Sequence, residues 1–448
     1  MNIQHLILNN YRKYAAAKFL FNEKFTVIIG NNGSGKTTIL DALSIMLNTY
    51  FQGSGIRTAA GSIKKEDARF IITEKQGQVF REPQSEVFLQ AEAKIGGEHY
   101  QWLREIGDRG GKAKSIVVLG AEDRAAIQKG GTKALPLMLY YGSGRLWNTH
   151  KDIKSGKPGS QLDAYRYALD PKSDQNAFEE WFKRLSLAKL QKGHNIPVLD
   201  ALKEIVLHCV PGAIDFYFDT LEDQITIHLE QEGHIPFNYL SDGYRNMLAM
   251  VADIVHRASK LNPHLGEEVA NRTEGVVLID EIDLHLHPKW QRSVVADLKS
   301  AFPKLQFIAT THSPFIIQSL EPGEVIDLGQ PPLHPEQIVE FASSGHLVAS
   351  PGPGHAFSHR SLEDIVEEVM GIAIPQRSQR YQKMYETAQE YYRLLQQSKH
   401  GDTKQKEQLK NQLDELSAPY SDNVAYHAFL EMERMAAGLG KSEIQGDK

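Results

Sequence analysis

The chain of 448 residues contains one cysteine, Cys209, so it can form no internal disulfide and no CxxC zinc module. A lone thiol fits a reducing compartment, and a cytoplasmic location is expected. No long apolar run occurs, whereas a membrane-spanning helix needs about 20 apolar residues; no membrane association is expected. The opening MNIQHLILNNYRKY lacks the zones of a signal peptide. Basic excess is missing as well, since 50 Lys and Arg stand against 56 Asp and Glu for a net charge of −6. That sum does not advertise nucleic acid, although one face of an acidic protein can still be positive. Heptads, internal repeats and low-complexity tracts are also absent. What remains is 41% hydrophobic and 24% charged, ordinary proportions for a globular chain of about two or three domain-sized units.

Residues 2–8 and Phe25–Ile29 read as strands, the second running straight into Gly30. From Thr37 onward, Ile39, Leu40, Leu43, Met46 and Leu47 recur at helical spacing. Residues 51–134, rich in Gly, Lys and Arg, read as a β-rich insertion with a mobile loop over Gly107–Lys114. A buried strand within 135–144 ends in glycine. Helices are expected over 176–192, 197–208 and 242–261, forming a helical subdomain of about 176–262 around a strand pair at 214–230. Gly275–Ile279 is an apolar strand closed by Asp280, and 305–310 and 324–328 are further core strands. Residues 1–340 then form an α/β head and 341–448 a helical C-terminal region. In its helix 376–400, Tyr381, Met384, Tyr385, Ala388, Tyr391, Tyr392 and Leu395 make an apolar stripe. Two shorter helices follow near 403–417 and 422–437. The stripe either packs on its own head or serves docking or oligomerisation, where tyrosine and methionine are favoured.

Gly30-Asn31-Asn32-Gly33-Ser34-Gly35-Lys36-Thr37 matches GxxxxGK[ST] without mismatch, between a strand and a helix. In such a loop, backbone N–H groups up to Thr38 curl around phosphates and the lysine neutralises the β- and γ-oxygens. Thr37 offers an oxygen to Mg²⁺, and the helix N-terminus adds its positive dipole end. Asp280, closing an apolar strand, is the expected second Mg²⁺ ligand, and Glu281 the general base for the attacking water. An apolar strand ending in Asp-Glu is weak evidence alone and strong evidence beside a phosphate loop. The chain is therefore expected to bind ATP with Mg²⁺ and to hydrolyse it. His285 and His287 alternate in one loop, but without a third ligand nearby a structural role is favoured over metal binding.

Three further segments resemble the ABC-type ATPases. Leu240-Ser241-Asp242-Gly243-Tyr244-Arg245, 39 residues before Asp280 by its serine, resembles their signature motif. His312 in Thr310-Thr311-His312-Ser313-Pro314, 32 residues after Asp280, resembles their switch histidine. Asp283 falls where their D-loop crosses a dimer interface. The resemblance implies an ABC-type P-loop head of the RecF/SMC-like kind, with catalytic contributions from Lys36, Glu281 and His312. It implies a homodimer too, because Ser241 and Gly243 of one copy would cap the γ-phosphate held by the other. Tyr14 is either an adenine-stacking or a core tyrosine, Arg145 is a candidate γ-phosphate sensor, and no glutamine stands out as the Q-loop residue.

The run LIDEIDLHLHPKWQ with THSPFII is closer to RecF/SMC-like and overcoming-lysogenization-defect ATPases than to transporter subunits, which usually read LDEPT. No Toprim-like acidic set is visible in 331–448, so the chain is not expected to be a nuclease. LPLMLYYGSGRLW at 135–147, together with these motifs and the Tyr-rich tail, resembles the PtuA-like ATPases of Septu and retron antiphage systems. That resemblance implies an ATP-gated regulatory subunit of an antiphage complex, a PtuB-like HNH nuclease partner, and contact with DNA or retron RNA–DNA. It also allows assemblies larger than a dimer. A RecF-like DNA repair ATPase without a nuclease, and a structural ATP-bound scaffold, remain the alternatives.

Overall fold

The computed structural model describes residues 1–56, 61–107, 111–144, 159–171, 175–193, 195–329, 347–349, 357–368 and 379–398, with isolated residues between 411 and 435. Its strands are β1 (Asn2–Tyr11), β2 (Tyr14–Leu20), β3 (Phe25–Ile29), β4 (Phe70–Lys75), β5 (Gln78–Pro83), β6 (Phe88–Ile95), β7 (Glu98–Glu105) and β8 (Leu137–Tyr141). There follow β9 (Ala213–Asp219), β10 (Gln224–Leu229), β11 (Gly233–Pro236), β12 (Gly275–Ile279), β13 (Leu305–Thr310), β14 (Val325–Asp327) and β15 (Leu347–Ala349). The helices used below are α1 (Lys36–Ser54), α2 (Lys114–Gln128), α3 (Gln175–Lys192), α4 (Pro197–Cys209) and α5 (Asp242–Leu261).

A five-stranded parallel sheet, ordered β14-β3-β13-β12-β8, forms the centre of the head. A parallel sheet is covered on both faces, so its strands read as unbroken apolar runs rather than alternations. FTVII, LMLYY, GVVLI and LQFIAT are buried at every position. The register sets Ile279 beside Tyr141 and Ala309, so the carboxyl ends of these strands share one edge. In open α/β sheets that edge is where ligands bind.

A second sheet, β15-β2-β1-β6-β7, is antiparallel except for β15 on β2. β6 alternates, with Leu89, Ala91, Ala93 and Ile95 buried, as expected when one face meets the core and the other meets solvent. α1 packs against β6 and against β12 and β13 of the parallel sheet, which explains why its residues are buried almost continuously from Ile39 to Phe51. Trp102 of β7 donates from Nε1 to the Met46 carbonyl at 3.1 Å, fixing the sheet to α1.

The interval 51–134 is less purely β than its composition suggests, because it contains α2 lying across α1. The signal lay in two glycines. A Cβ on Gly53 would stand 1.9 Å from the Val117 carbonyl oxygen, and one on Gly120 would stand 2.2 Å from that of Tyr50. Small residues at the crossing let the two backbones touch. The hairpin β4–β5 is exposed on both faces. Beyond α4, a three-stranded sheet β11-β10-β9 adds one strand to the pair expected at 214–230, and α5 carries the signature-like segment at its N-terminus.

Met1–Met370 form one compact unit and Gly371–Lys448 a second. Within the second, helix Gln379–Ser398 buries Met384, Tyr391 and Leu394, and Tyr391 donates from its hydroxyl to the Leu430 carbonyl at 3.2 Å. The side chains of Tyr381, Tyr385, Tyr392 and Leu395 lie outside the described residues, as do Arg145 and most of the helices expected at 403–417 and 422–437. Among the described residues no helix is long and apolar enough to cross a membrane.

Candidate functional site

The loop from Gly30 to Gly35 leaves β3 at the carboxyl edge of the parallel sheet and feeds α1. Gly33 and Gly35 have φ of 76° and 100°, left-handed values that favour glycine. Their curl turns the Lys36 ammonium back over the loop, where it donates to the Gly30 carbonyl at 2.8 Å and the Asn31 carbonyl at 3.2 Å. Burial holds the pKa of Lys36 below its usual value, opposed by the negative charges of Asp280, Glu281 and Asp283. Lys36 and three carboxylates therefore share this edge, with the charge of Lys13 adding to the effect of burial.

Thr37 Oγ1 lies 3.1 Å from Asp280 Oδ2 and 3.3 Å from Oδ1, joining residues 243 positions apart. A hydroxyl and a buried carboxylate at this spacing form the hard, oxygen-only donor pair suited to Mg²⁺, which takes few protein ligands and completes its octahedron with phosphate and water. The side chains present thus fit the ion that the motif implies. Thr310, not singled out by the sequence reading, completes the arrangement. Its buried Oγ1 donates to Asp280 Oδ1 at 2.7 Å and accepts from the Glu281 N–H at 2.8 Å. Asp280 N–H donates to the Tyr141 carbonyl at 2.8 Å, so the acid is held by β8 and β13 together.

Glu281 has φ of 50°, an unusual conformation for a long side chain and one that clusters at functional sites. Asp283 Oδ1 accepts from Thr311 Oγ1 at 2.6 Å and from the His312 N–H at 3.4 Å. Asp283 is thereby tied to the switch-like segment of its own chain. His312 is exposed and lines a cleft of about 230 Å³ with Ile29, Gly30, Asn31, Asn32, Thr311 and Ile317. Phosphate-loop and histidine thus face the same space.

The signature-like segment is held against the Asp280 loop. Asn246 Nδ2 donates to the Leu284 carbonyl at 2.8 Å, and Tyr244 meets Trp290 edge-on at 4.3 Å. A Cβ on Gly243 would fall 2.6 Å from the His285 carbonyl oxygen, so this glycine answers to close packing within the chain. Ser241 precedes α5 and is exposed, with no side-chain cap bond.

Tyr14 is the core tyrosine of the two readings. Its ring is buried edge-on against Phe19 at 5.5 Å, and its hydroxyl reaches the Ser34 and Gly35 carbonyls at 3.3 and 3.4 Å. His287 caps a short helix by accepting from the Lys289 N–H at 3.2 Å. Among the described residues no cluster of three or more His, Cys, Asp or Glu is arranged to hold a metal.

Comparison with known proteins agrees with this picture. A family profile described as an AAA domain matches residues 5–206, and a second AAA-domain profile matches residues 134–318. The chain is 27% identical to the retron Vc95 probable ATPase of Vibrio cholerae serotype O1 biovar El Tor, over 72% of this chain and 73% of that protein. It is 25% identical to the Septu protein PtuA of Bacillus thuringiensis, over 83% of this chain and 84% of that one. Among solved structures it is similar to the SMC head domain from Thermotoga maritima, at 14% identity, covering 73% of this chain and 94% of that one with a TM-score of 0.39. Phosphate loop, strand-end acid and the extent of these matches point the same way: the chain is an α/β P-loop ATPase head similar, over 72–83% of its length, to Septu PtuA and the retron probable ATPases.

Proposed function

We propose that this chain binds and hydrolyses ATP, and that the nucleotide controls an associated HNH nuclease in an antiphage defence complex. The observation that carries the ATP reading is the contact of Thr37 with Asp280 at 3.1 Å, beside a lysine in the field of three carboxylates. In this reading the N–H groups from Gly30 to Thr38, with Lys36, grip the phosphates of ATP. Thr37 and Asp280 would hold Mg²⁺, which would supply charge neutralisation to the phosphates. Glu281 accepts the proton of the water whose oxygen attacks the γ-phosphorus, as the bond to the bridging oxygen of ADP breaks. His312, exposed in the same cleft, orients the γ-phosphate.

Two copies would face each other across two nucleotides. Ser241 is exposed at the N-terminus of α5, where the helix dipole suits an anion, and it would cap the γ-phosphate of the second copy with Gly243. Asp283 would reach that interface from the loop after β12, which its bonds to Thr311 and His312 tie to the switch-like segment. The similarity to Septu PtuA supports a PtuB-like HNH partner, which would do the cutting, with DNA or retron RNA–DNA as the nucleic acid and larger assemblies built from the dimer.

The test combines turnover, mass and pull-down. Glu281→Gln should lower the ATP turnover of the full-length chain by about 100-fold or more while leaving ATP bound and the dimer stable. Co-purification from cells carrying the neighbouring genes should bring down an HNH protein. A Glu281→Gln chain with the same turnover as wild type refutes the catalytic assignment; a monomer with ATP bound refutes the paired heads.

A further inference from the structure

The turn between β1 and β2 is only two residues long, because Tyr11 pairs with Tyr14 across it. Arg12 sits there with φ of 49°, a conformation that an arginine holds only when its surroundings fix it. Here they do. Arg12 Nη1 donates to Asp41 Oδ2 of α1 at 2.6 Å, and Nε donates to Asp67 Oδ1 at 2.9 Å. The pinned turn delivers the next side chain to the outer side of the phosphate loop. Lys13 Nζ donates to the Gly33 carbonyl at 3.0 Å and also to the Ser34 carbonyl. Tyr14 follows with its hydroxyl against the Ser34 and Gly35 carbonyls. The fit leaves no room at Gly35, where a Cβ would lie 2.5 Å from the Tyr14 hydroxyl oxygen and 2.7 Å from Lys13 Cδ.

The geometry points to Lys13 as a positioning residue that presets the phosphate loop by holding its carbonyls outward. A loop that binds phosphate through inward N–H groups must turn its carbonyl oxygens away. Those oxygens are the negative ends of the same peptide dipoles, and a cation on them strengthens the inward donors while adding positive potential. Lys13 is exposed, and its ammonium stands 5.7 Å from the centre of the Tyr14 ring while its hydrogen bonds go to the loop carbonyls. This inference rests on the ATP reading above, and it assigns Lys13 to the loop rather than to the γ-phosphate.

The distinction can be measured. A residue acting through the loop affects ADP and ATP alike, because both place a β-phosphate in it. Titration calorimetry of the full-length chain with Mg-ATP and with Mg-ADP should show Lys13→Met weakening both by about 10-fold, the scale of a lost charged hydrogen bond. Lys13→Arg should restore both to within about threefold, since it too is a cationic donor. In steady state, KM should rise with Kd while kcat stays within about threefold. Unchanged affinity in Lys13→Met overturns the inference, and so does a loss confined to ATP, which would mark a direct γ-phosphate ligand. A wild-type chain that binds neither nucleotide removes both this inference and the ATP reading, whereas a wild-type chain that binds beside an unaffected variant removes only this one.

Discussion

Thr310→Val isolates what holds the two acids in place. The substitution keeps the branched shape but removes the hydroxyl that donates to Asp280 and accepts from Glu281. The lost bond to a carboxylate is worth about 1.5–3 kcal/mol, and an orphaned N–H costs about 1–3 kcal/mol. Thr310 is completely buried, so no water reaches its side directly, yet Glu281 is only half-buried and its N–H can recover part of the loss through water. A net loss of roughly 2–3 kcal/mol is expected. If about half of it falls on the transition state, kcat drops about 10-fold, and if all of it does, about 100-fold. ATP affinity should change by less than about threefold, because Lys36 and the loop donors do not touch Thr310. The assay is steady-state turnover beside equilibrium nucleotide binding, with Thr310→Ser as the control. Serine keeps the hydroxyl and should retain kcat within about threefold. A valine variant with wild-type turnover would refute the view that this hydroxyl orders the acids, and equal losses in valine and serine would attribute the effect to packing instead.

Two further outcomes follow from packing and charge. Gly243→Ala should force the Asp280 loop away from α5, since the new Cβ would meet the His285 carbonyl oxygen at 2.6 Å; a stability loss of about 1–3 kcal/mol should appear in urea unfolding of the isolated chain, where a purely intermolecular role would leave stability unchanged. His256 is wholly buried, tilted against Trp181 at 4.7 Å with no hydrogen-bond partner on Nδ1, and burial with the charges of Arg257, Lys260 and Arg184 pushes its pKa well below 6.5. Below pH 6.5 the unfolded chain takes up a proton that the folded chain refuses, so stability present above that pH falls as the solution is acidified. The wild type should lose about 1.4 kcal/mol more than His256→Phe between pH 7.5 and 5.5, and parallel unfolding curves would contradict the assignment.

What the sequence made legible follows from how locally each feature is encoded. Gly30–Thr37 spells its own conformation, because left-handed glycines and a following helix are needed for any loop of that shape. The strand ending in Asp280 was equally visible, since a strand buried on both faces must be a solid apolar run. Thr310 was hidden for the opposite reason. It belongs to an apolar-looking strand, LQFIAT, and β propensity alone accounts for a threonine there; its role exists only after β12 and β13 are placed side by side. The same holds for α2, which lies in the stretch 51–134 that reads as β-rich until the crossing of Gly53 and Gly120 is known.

The signature-like segment shows how a motif carries two kinds of information at once. Its likeness to a γ-phosphate cap depends on Ser241 and Gly243 being free to meet an anion from outside. Within the chain, however, Gly243 is compressed against His285 and Asn246 is bonded to Leu284, both in the loop that begins at Asp280. Packing of that kind makes α5 and the acid loop move as one body, since a close backbone contact and a buried hydrogen bond resist separation. Gln291 extends the body to the histidine, donating to the Leu286 carbonyl at 2.8 Å and accepting from Ser313 Oγ at 2.6 Å. A nucleotide that shifts Asp280 or His312 therefore shifts the N-terminus of α5 as well. In the reading proposed above, such an arrangement would let a change at the phosphate site be passed to the N-terminus of α5, as a switch acting on a partner requires and a structural nucleotide does not.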